Sequence, residues 1–156
     1  MIEIHLDGYE IEELTYDNLE KFEIFITQED EYFSLTEGDD VPVDYVDDIP
    51  EDNIYNMVFC RGGEPMAFLS MTEYPETNLL WLDFFIVQNK YKRQSVGTKC
   101  INALINSLEG TIFKRIRLHE HADNAGGIAF WKHIGFSVLE ENELKTHKEL
   151  LMEYVI

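Results

Sequence analysis

Apolar residues run almost unbroken from Leu79 to Val87, with Asp83 the one acid among them, and such a run predicts a strand covered on both faces near the middle of a sheet. The period then changes. Val96, Cys100, Ile101, Leu104, Ile105 and Leu108 mark one face of an amphipathic helix, which Gly110 ends as a residue free to take left-handed backbone angles. Between strand and helix lies QNKYKRQSVG, where Lys90, Lys92 and Arg93 stand at the point at which the helix presents its unpaired N–H groups. A helix N-terminus carries about half a positive charge, so strand, loop and helix together predict an anion site of phosphate size.

Upstream, Ile2, Ile4 and Leu6 alternate with polar residues, Asp7 and Gly8 turn the chain, and Tyr9 to Leu14 alternates again, predicting a short strand or hairpin. Thr15 can cap a helix whose buried face is Leu19, Phe22, Ile24, Phe25 and Ile26, and a further helical turn is expected around Tyr32 to Leu35. Glu37 to Asp52 holds eight acids, two prolines and no base. It reads as a long exposed loop, serving either as a solvated segment or as an electrostatic collector of a cationic substrate. Ile54 to Cys60 and Met66 to Met71 are strands joined by Arg61, Gly62, Gly63 and Glu64, and the turn YPETN from Tyr74 to Asn78 leads into the central strand. Three successive antiparallel strands are therefore expected.

Downstream, Thr111 to His119 predicts a strand built on Ile112, Ile116 and Leu118, and strand, helix and strand at this spacing form a right-handed parallel crossover. Asn124 to Ile134 predicts a helix with Ile128, Phe130, Trp131 and Ile134 inward, ended by Gly135 with Phe136 packing beneath it. Ser137 to Glu140, a turn at Glu141 to Glu143, and Lys148 to Ile156 give a closing antiparallel pair. The fold class is α/β of mixed α+β character: a mostly antiparallel sheet with one parallel crossover, flanked by helices.

A length of 156 residues suits one domain over 1–156, with 45% hydrophobic residues to build its core. Twelve Lys and Arg against 31 Asp and Glu give a formal charge of −19, which repels nucleic acid and anionic membrane surfaces and favours cationic partners. The acidic N-terminus lacks the pattern of a secretory signal, and no run of about 18 apolar residues occurs, so a cytoplasmic location is expected. Cys60 and Cys100 lie in apolar segments and read as buried thiols, and no Cys/His spacing resembles a metal site.

Two motifs in this framework resemble those of the GNAT superfamily of acyl-CoA-dependent N-acyltransferases. The family's pyrophosphate loop reads Gln or Arg, two residues, Gly, one residue, Gly or Ala; its counterpart here is Lys92, Arg93, Gln94, Ser95, Val96, Gly97, with Ser95 in place of the first glycine. NAGGIAFWKHIGF is similar to the family's second motif in Asn124, Gly127, Ile128, Phe130, Trp131, Gly135 and Phe136. Trp131 stands where many members carry a tyrosine that protonates the departing CoA thiolate, and an indole N–H is no such acid.

The resemblance implies acetyl-CoA as co-substrate and direct attack by an amine, free or on a peptide or protein, in a ternary complex. It implies that the central strands splay apart after Phe85, leaving the main chain of Phe85, Ile86 and Val87 to hold the pantetheine arm. The pyrophosphate falls on the N–H groups of Arg93 to Thr98, with Asn124, Phe130 and Trp131 beside the coenzyme. Family members place a base at the position of Trp81 or of His119, which makes His119 a candidate here; Asp83, an acid inside an apolar strand, and Glu120 are the others. Two other functions fit the same residues: a non-catalytic acyl-CoA-binding or sensing module, and an acidic protein-interaction protein. A homodimer through the sheet edge or C-terminal strands would be ordinary for such a fold.

Overall fold

A computed structural model describes residues 2–25, 27, 28 and 53–156. Its strands form one seven-stranded sheet in the order β1-β2-β3-β4-β5-β7-β6. These are β1 (Glu10–Glu13), β2 (Ile54–Arg61), β3 (Glu64–Tyr74), β4 (Leu79–Val87), β5 (Arg115–His121), β6 (Ser137–Glu143) and β7 (Lys148–Val155), with helices α1 (Val96–Leu108) and α2 (Ala125–Ile134). Every neighbouring pair is antiparallel except β4 with β5. The glycine hairpin, the run from β4 into α1 and the parallel crossover thus stand as the hydrophobic pattern predicts. The expected helical turn at Tyr32 to Leu35, the acidic segment Glu37 to Asp52 and Ile26 lie outside the described residues.

Both faces of the sheet carry apolar cores. On one, Phe59, Leu69, Leu80 and Ile116 are fully buried against Ile101, Leu104 and Leu108 of α1. On the other, Val58, Cys60, Phe68 and Ile86 pack under Leu14, Phe22 and Phe25. The Phe68 ring lies 4.5 Å from that of Phe22 and 6.3 Å from that of Phe25. The strands covered on both faces are β2 and β3, which are buried almost continuously; β4 buries Leu80, Leu82 and Ile86 while Asp83 stays exposed. Its apolar run overstated its cover because the face bearing Trp81 and Asp83 lines a cleft instead of a core. Both thiols are free and buried, and burial pushes the pKa of Cys100 up to about 12 and that of Cys60, with help from the Glu12 carboxylate, up to about 11.

Local chemistry corrects several sequence expectations. Residues 2–6 form no strand: β1 pairs with β2 from Glu10 opposite Cys60, and Ile2 and Ile4 are buried in the α1-side core without a ladder. Thr15 does cap, accepting from the Asp17 N–H while Asn18 reaches back to the Thr15 N–H, but the first turn is 3-10 and Ile24 is exposed. The strand after α1 begins at Arg115 and runs to His121, since Thr111 turns back to donate to the Leu108 carbonyl (2.6 Å) and Ile112 is left in solvent. On α2 Trp131 is buried, whereas Ile128, Phe130 and Ile134 are half-buried. The closing turn lies beyond Glu143, where the Leu144 N–H donates to the His147 carbonyl.

The ring cluster at Phe68 gives a direct test of the second core. Phe68→Ala removes a fully buried side chain and is expected to cost about 3–5 kcal/mol in urea unfolding, with the native CD spectrum retained.

Candidate active site

β4 and β5 run side by side only from Leu79 opposite Arg115 to Leu82 opposite Leu118. They then part, β5 continuing along β7 to His121 and β4 along β3 to Val87. The parting comes three residues before the expected point at Phe85. Its cause is a β-bulge: Ser70 pairs with Phe84 and Met71 with Leu82, so Asp83 is an extra residue on β4. The extra residue also resets the alternation. Leu82 and Phe85 pack into the α1-side core and Phe84 into the opposite one, which strict period two from Leu82 would forbid.

The fork opens into a cleft of about 960 Å³ whose walls include Lys92, Arg93, Ser95, Gly97 and Thr98 from the loop and α1. Asp83, Phe85, His119, Asn124, Phe130 and Trp131 line it as well. In the loop, Arg93 (φ 66°) and Ser95 (φ 63°) both take left-handed backbone angles, the conformation that turns successive N–H groups toward a common centre. Ser95 is the N-cap residue of α1 yet makes no side-chain cap, which leaves its hydroxyl and the first-turn N–H groups of α1 beside the cleft. Lys92 and Arg93 line the cavity, whereas the ammonium of Lys90 is held 2.6 Å from the Glu64 carboxylate, and the Gln94 amide folds back onto the Lys90 carbonyl. Of the three cations that the pattern assigned to an anion site, two therefore line the cleft. Gly97 is required for packing: a Cβ there would stand 3.2 Å from the Phe130 ring and 3.3 Å from Val87.

The N-terminus of α2 is tied to β5 by Glu120. Its buried carboxylate accepts from the Trp131 indole (3.0 Å), the Asn124 amide (3.1 Å) and the His121 main-chain N–H (3.1 Å). Asn124 in turn caps α2 by accepting from the Gly127 N–H. Any side chain at 127 would collide with this knot, since a Cβ would lie 2.7 Å from both the Glu120 carboxylate and the Asn124 amide.

Across the fork, Asp83 accepts a 2.6 Å hydrogen bond from the Thr72 hydroxyl. Although the carboxyl opens to the cleft, the surrounding walls strip it of water and raise its pKa above the usual carboxylate range, opposed in part by the Thr72 bond. His119 meets the edge of Trp81 at 4.8 Å and places Nδ1 3.4 Å from a Glu149 oxygen. His121 and His147 stack at 4.4 Å on the same wall. His147, Glu149 and Thr72 escaped sequence reasoning. The alternation that places His119 on this wall also places His121 there, but Glu149 and His147 join only through the β5–β7 register, in which His121 pairs with Glu149. Gln28 was missed too: its amide donates to the Val87 carbonyl (2.9 Å) and accepts from the Asn89 N–H (2.7 Å), fastening the mouth of the loop.

A parallel pair that forks beside a helix N-terminus is the framework of a coenzyme A-dependent acyltransferase. The chain belongs to the acetyltransferase (GNAT) family, whose model matches residues 9–136. Solved structures share the fold at low identity. The ribosomal-protein-S18-alanine N-acetyltransferase from Escherichia coli is 19% identical, with a TM-score of 0.75 over 95% of this chain and 94% of that one. PaiA N-acetyltransferase from Thermoplasma acidophilum, in complex with coenzyme A, is 16% identical, with a TM-score of 0.69 over 95% and 99%. Arabidopsis thaliana Naa50, in complex with a bisubstrate analogue, is 15% identical, with a TM-score of 0.71 over 94% and 98%. No curated protein matches the sequence.

The left-handed backbone at Ser95 costs roughly 1–2 kcal/mol in any residue bearing a Cβ. Ser95→Gly is therefore expected to raise the thermal midpoint by about 2–4 °C, read by calorimetry, with coenzyme A binding retained.

Proposed function

We propose that this chain acetylates a primary amine, with acetyl-CoA as donor and both substrates bound together in the forked cleft. The observation that carries this reading is the continuity of one cavity that includes the cationic loop, the parted strands and the Asp83 carboxylate. Acetyl-CoA supplies an acyl carbon already activated as a thioester. The main-chain N–H groups from Arg93 to Thr98, with the charges of Lys92 and Arg93, hold its pyrophosphate, a role that the left-handed loop angles favour. The parted edge of β4 offers main-chain groups of Phe85 and Ile86 to the pantetheine arm; the Val87 carbonyl is already taken by Gln28. Phe130 and Trp131 wall the thioester end and exclude water.

An ammonium ion cannot attack, so the reacting amine must lose a proton first. Asp83 is the best placed of the three candidate bases: it stands at the fork, its pKa is raised by the cleft walls, and one oxygen is anchored by Thr72. His119, beside Trp81 and Glu149, is the second candidate. Glu120 is buried with three donors on its carboxylate, an arrangement that supports a role in holding α2. Trp131 commits its one N–H to Glu120, so the thiolate leaves without an acid at that position. Thiols ionise near pH 8.5, which makes unassisted departure feasible. The acceptor is read as a cationic amine, free or on a peptide, drawn by the charge of −19. The two free thiols support a cytoplasmic location.

The same indole geometry favours a second reading, an acyl-CoA-binding module without turnover, and one pair of measurements separates the two. Acetyl-CoA at 100 times its dissociation constant adds about 2.7 kcal/mol and is expected to raise the thermal midpoint by several degrees. Release of CoA across a panel of amines supports the transferase; a thermal shift without release supports the binding module, and no shift in folded protein defeats both.

The pH dependence follows from the direction of the Asp83 shift. The base must be ionised, so kcat/KM falls as pH drops through its raised pKa, and the acid limb is expected above the ordinary carboxylate range. Asp83→Asn is expected to abolish that limb and lower kcat by at least about a hundredfold. Its effect on stability has the opposite sign. A carboxyl with a raised folded pKa loses stability as pH climbs through that pKa, so at neutral pH the neutral amide is expected to unfold no earlier than the native protein.

A further inference from the structure

Thr72 is an unusual residue for its place. It lies on β3, near the centre of the sheet, and is 7% exposed, and it stands in register with Trp81 of β4. Two other buried polar side chains share its sheet face, Ser70 on the same strand and Asn56 opposite Ser70 on β2. The Ser70 hydroxyl and the Asn56 amide oxygen have no hydrogen-bond partner. Thr72 differs from both in spending its hydroxyl proton on the Asp83 carboxylate, at 2.6 Å. The bulge makes this possible, because the extra residue on β4 is Asp83 itself, brought beside the strand that carries Thr72.

We propose that Thr72 is a positioning residue for the transfer: by donating to Oδ2 of Asp83 it fixes the tilt of the carboxylate at the fork, and so the direction from which that carboxylate takes the proton of the acceptor amine. The inference rests on the reading of Asp83 as base. The bulge takes Asp83 out of the regular β3–β4 register, and a hydroxyl held by a rigid β-branched residue of β3 constrains one oxygen of its carboxylate. Threonine suits the task because its β-branch restricts the rotamer that carries the hydroxyl. Serine keeps the donor without that lock, and valine keeps the shape without the donor.

The bond has a second consequence. It favours the ionised carboxylate, so without it the base is harder to ionise and is also poorly aimed. Among the described residues, the other charged or titratable groups on the cleft wall are His119, Glu120 and His121 of β5, His147 and Glu149 at β7, and Tyr91, Lys92 and Arg93 in the loop. A background in which Asp83 is already Asn separates their contributions from that of the Thr72–Asp83 pair.

The test is a set of pH–rate profiles on the full chain with acetyl-CoA and the best amine of the panel, for Thr72→Val, Thr72→Ser, Asp83→Asn and the Thr72→Val/Asp83→Asn double variant. Thr72→Val is expected to lower kcat on the order of tenfold with KM for acetyl-CoA unchanged, and to move the acid limb to higher pH. Thr72→Ser should restore most of the loss. The Thr72→Val change should have no further effect once Asp83 is Asn, and Ser70→Ala, which removes an unpartnered hydroxyl from the same strand, should leave the profile in place. Should Thr72→Val fold poorly, Thr72→Ala replaces it, with the same result expected. A Thr72→Val profile with the limb unmoved, or the same loss in the Asp83→Asn background, overturns the positioning role while leaving Asp83 as base. An Asp83→Asn enzyme that keeps the limb overturns the base and the proposal with it.

Discussion

The site depends on one interrupted pairing. Parallel strands β4 and β5 share a ladder for four residues, after which the extra residue at Asp83 bends β4 away from its partner. Unpaired main-chain groups inside a protein are costly unless water or a ligand answers them. The fork is tolerable because its outer neighbours, β3 and β7, stay paired along the same lengths and carry the sheet past the gap. A cleft is thus built into the middle of a sheet whose flanks remain continuous.

Around that gap the two cores do different work. The α1-side core fixes the helix whose N-terminus closes one end of the cleft, through Ile101, Leu104 and Leu108 buried against β3, β4 and β5. The opposite core, built on Phe22, Phe25 and Phe68, holds the N-terminal segment against β2 and β3. The knot of Glu120, Asn124 and Trp131 is polar where both cores are apolar, and it is sealed by the absence of a side chain at Gly127. Each donor to this buried carboxyl matters, since losing one leaves a buried polar atom short of a partner.

Much of this was legible in the sequence because the deciding signals are local. The change from an apolar run to helical spacing at Val96 located β4 and α1, the glycines at 62 and 63 located a hairpin, and the motif from Asn124 to Phe136 marked α2 and its cap. What the sequence concealed depends on pairs of strands. A bulge is a mismatch of counts between two chains, so the position of Asp83 in β4 cannot reveal it, and the fork was expected three residues too late. The same holds for charge. Lys90 reads as part of the anion site until its partner, Glu64 at the start of β3, is seen to hold it. Ser95 was legible as a departure from the family's glycine, but that a serine would accept the left-handed angle there was not.

The clamp made by Gln28 bears on how the molecule assembles. Its side chain joins the end of β4 across 59 residues of sequence and the start of the loop across 61. Strand, loop and helix from Leu79 to Leu108 are a local unit that can form early, whereas closing a chain segment of this length carries an entropy cost that is recovered only after both ends are ordered. The mouth of the loop before α1 is therefore expected to close late, when the N-terminal segment docks, so that the cleft is completed with the finished fold rather than with the local unit that supplies much of its wall.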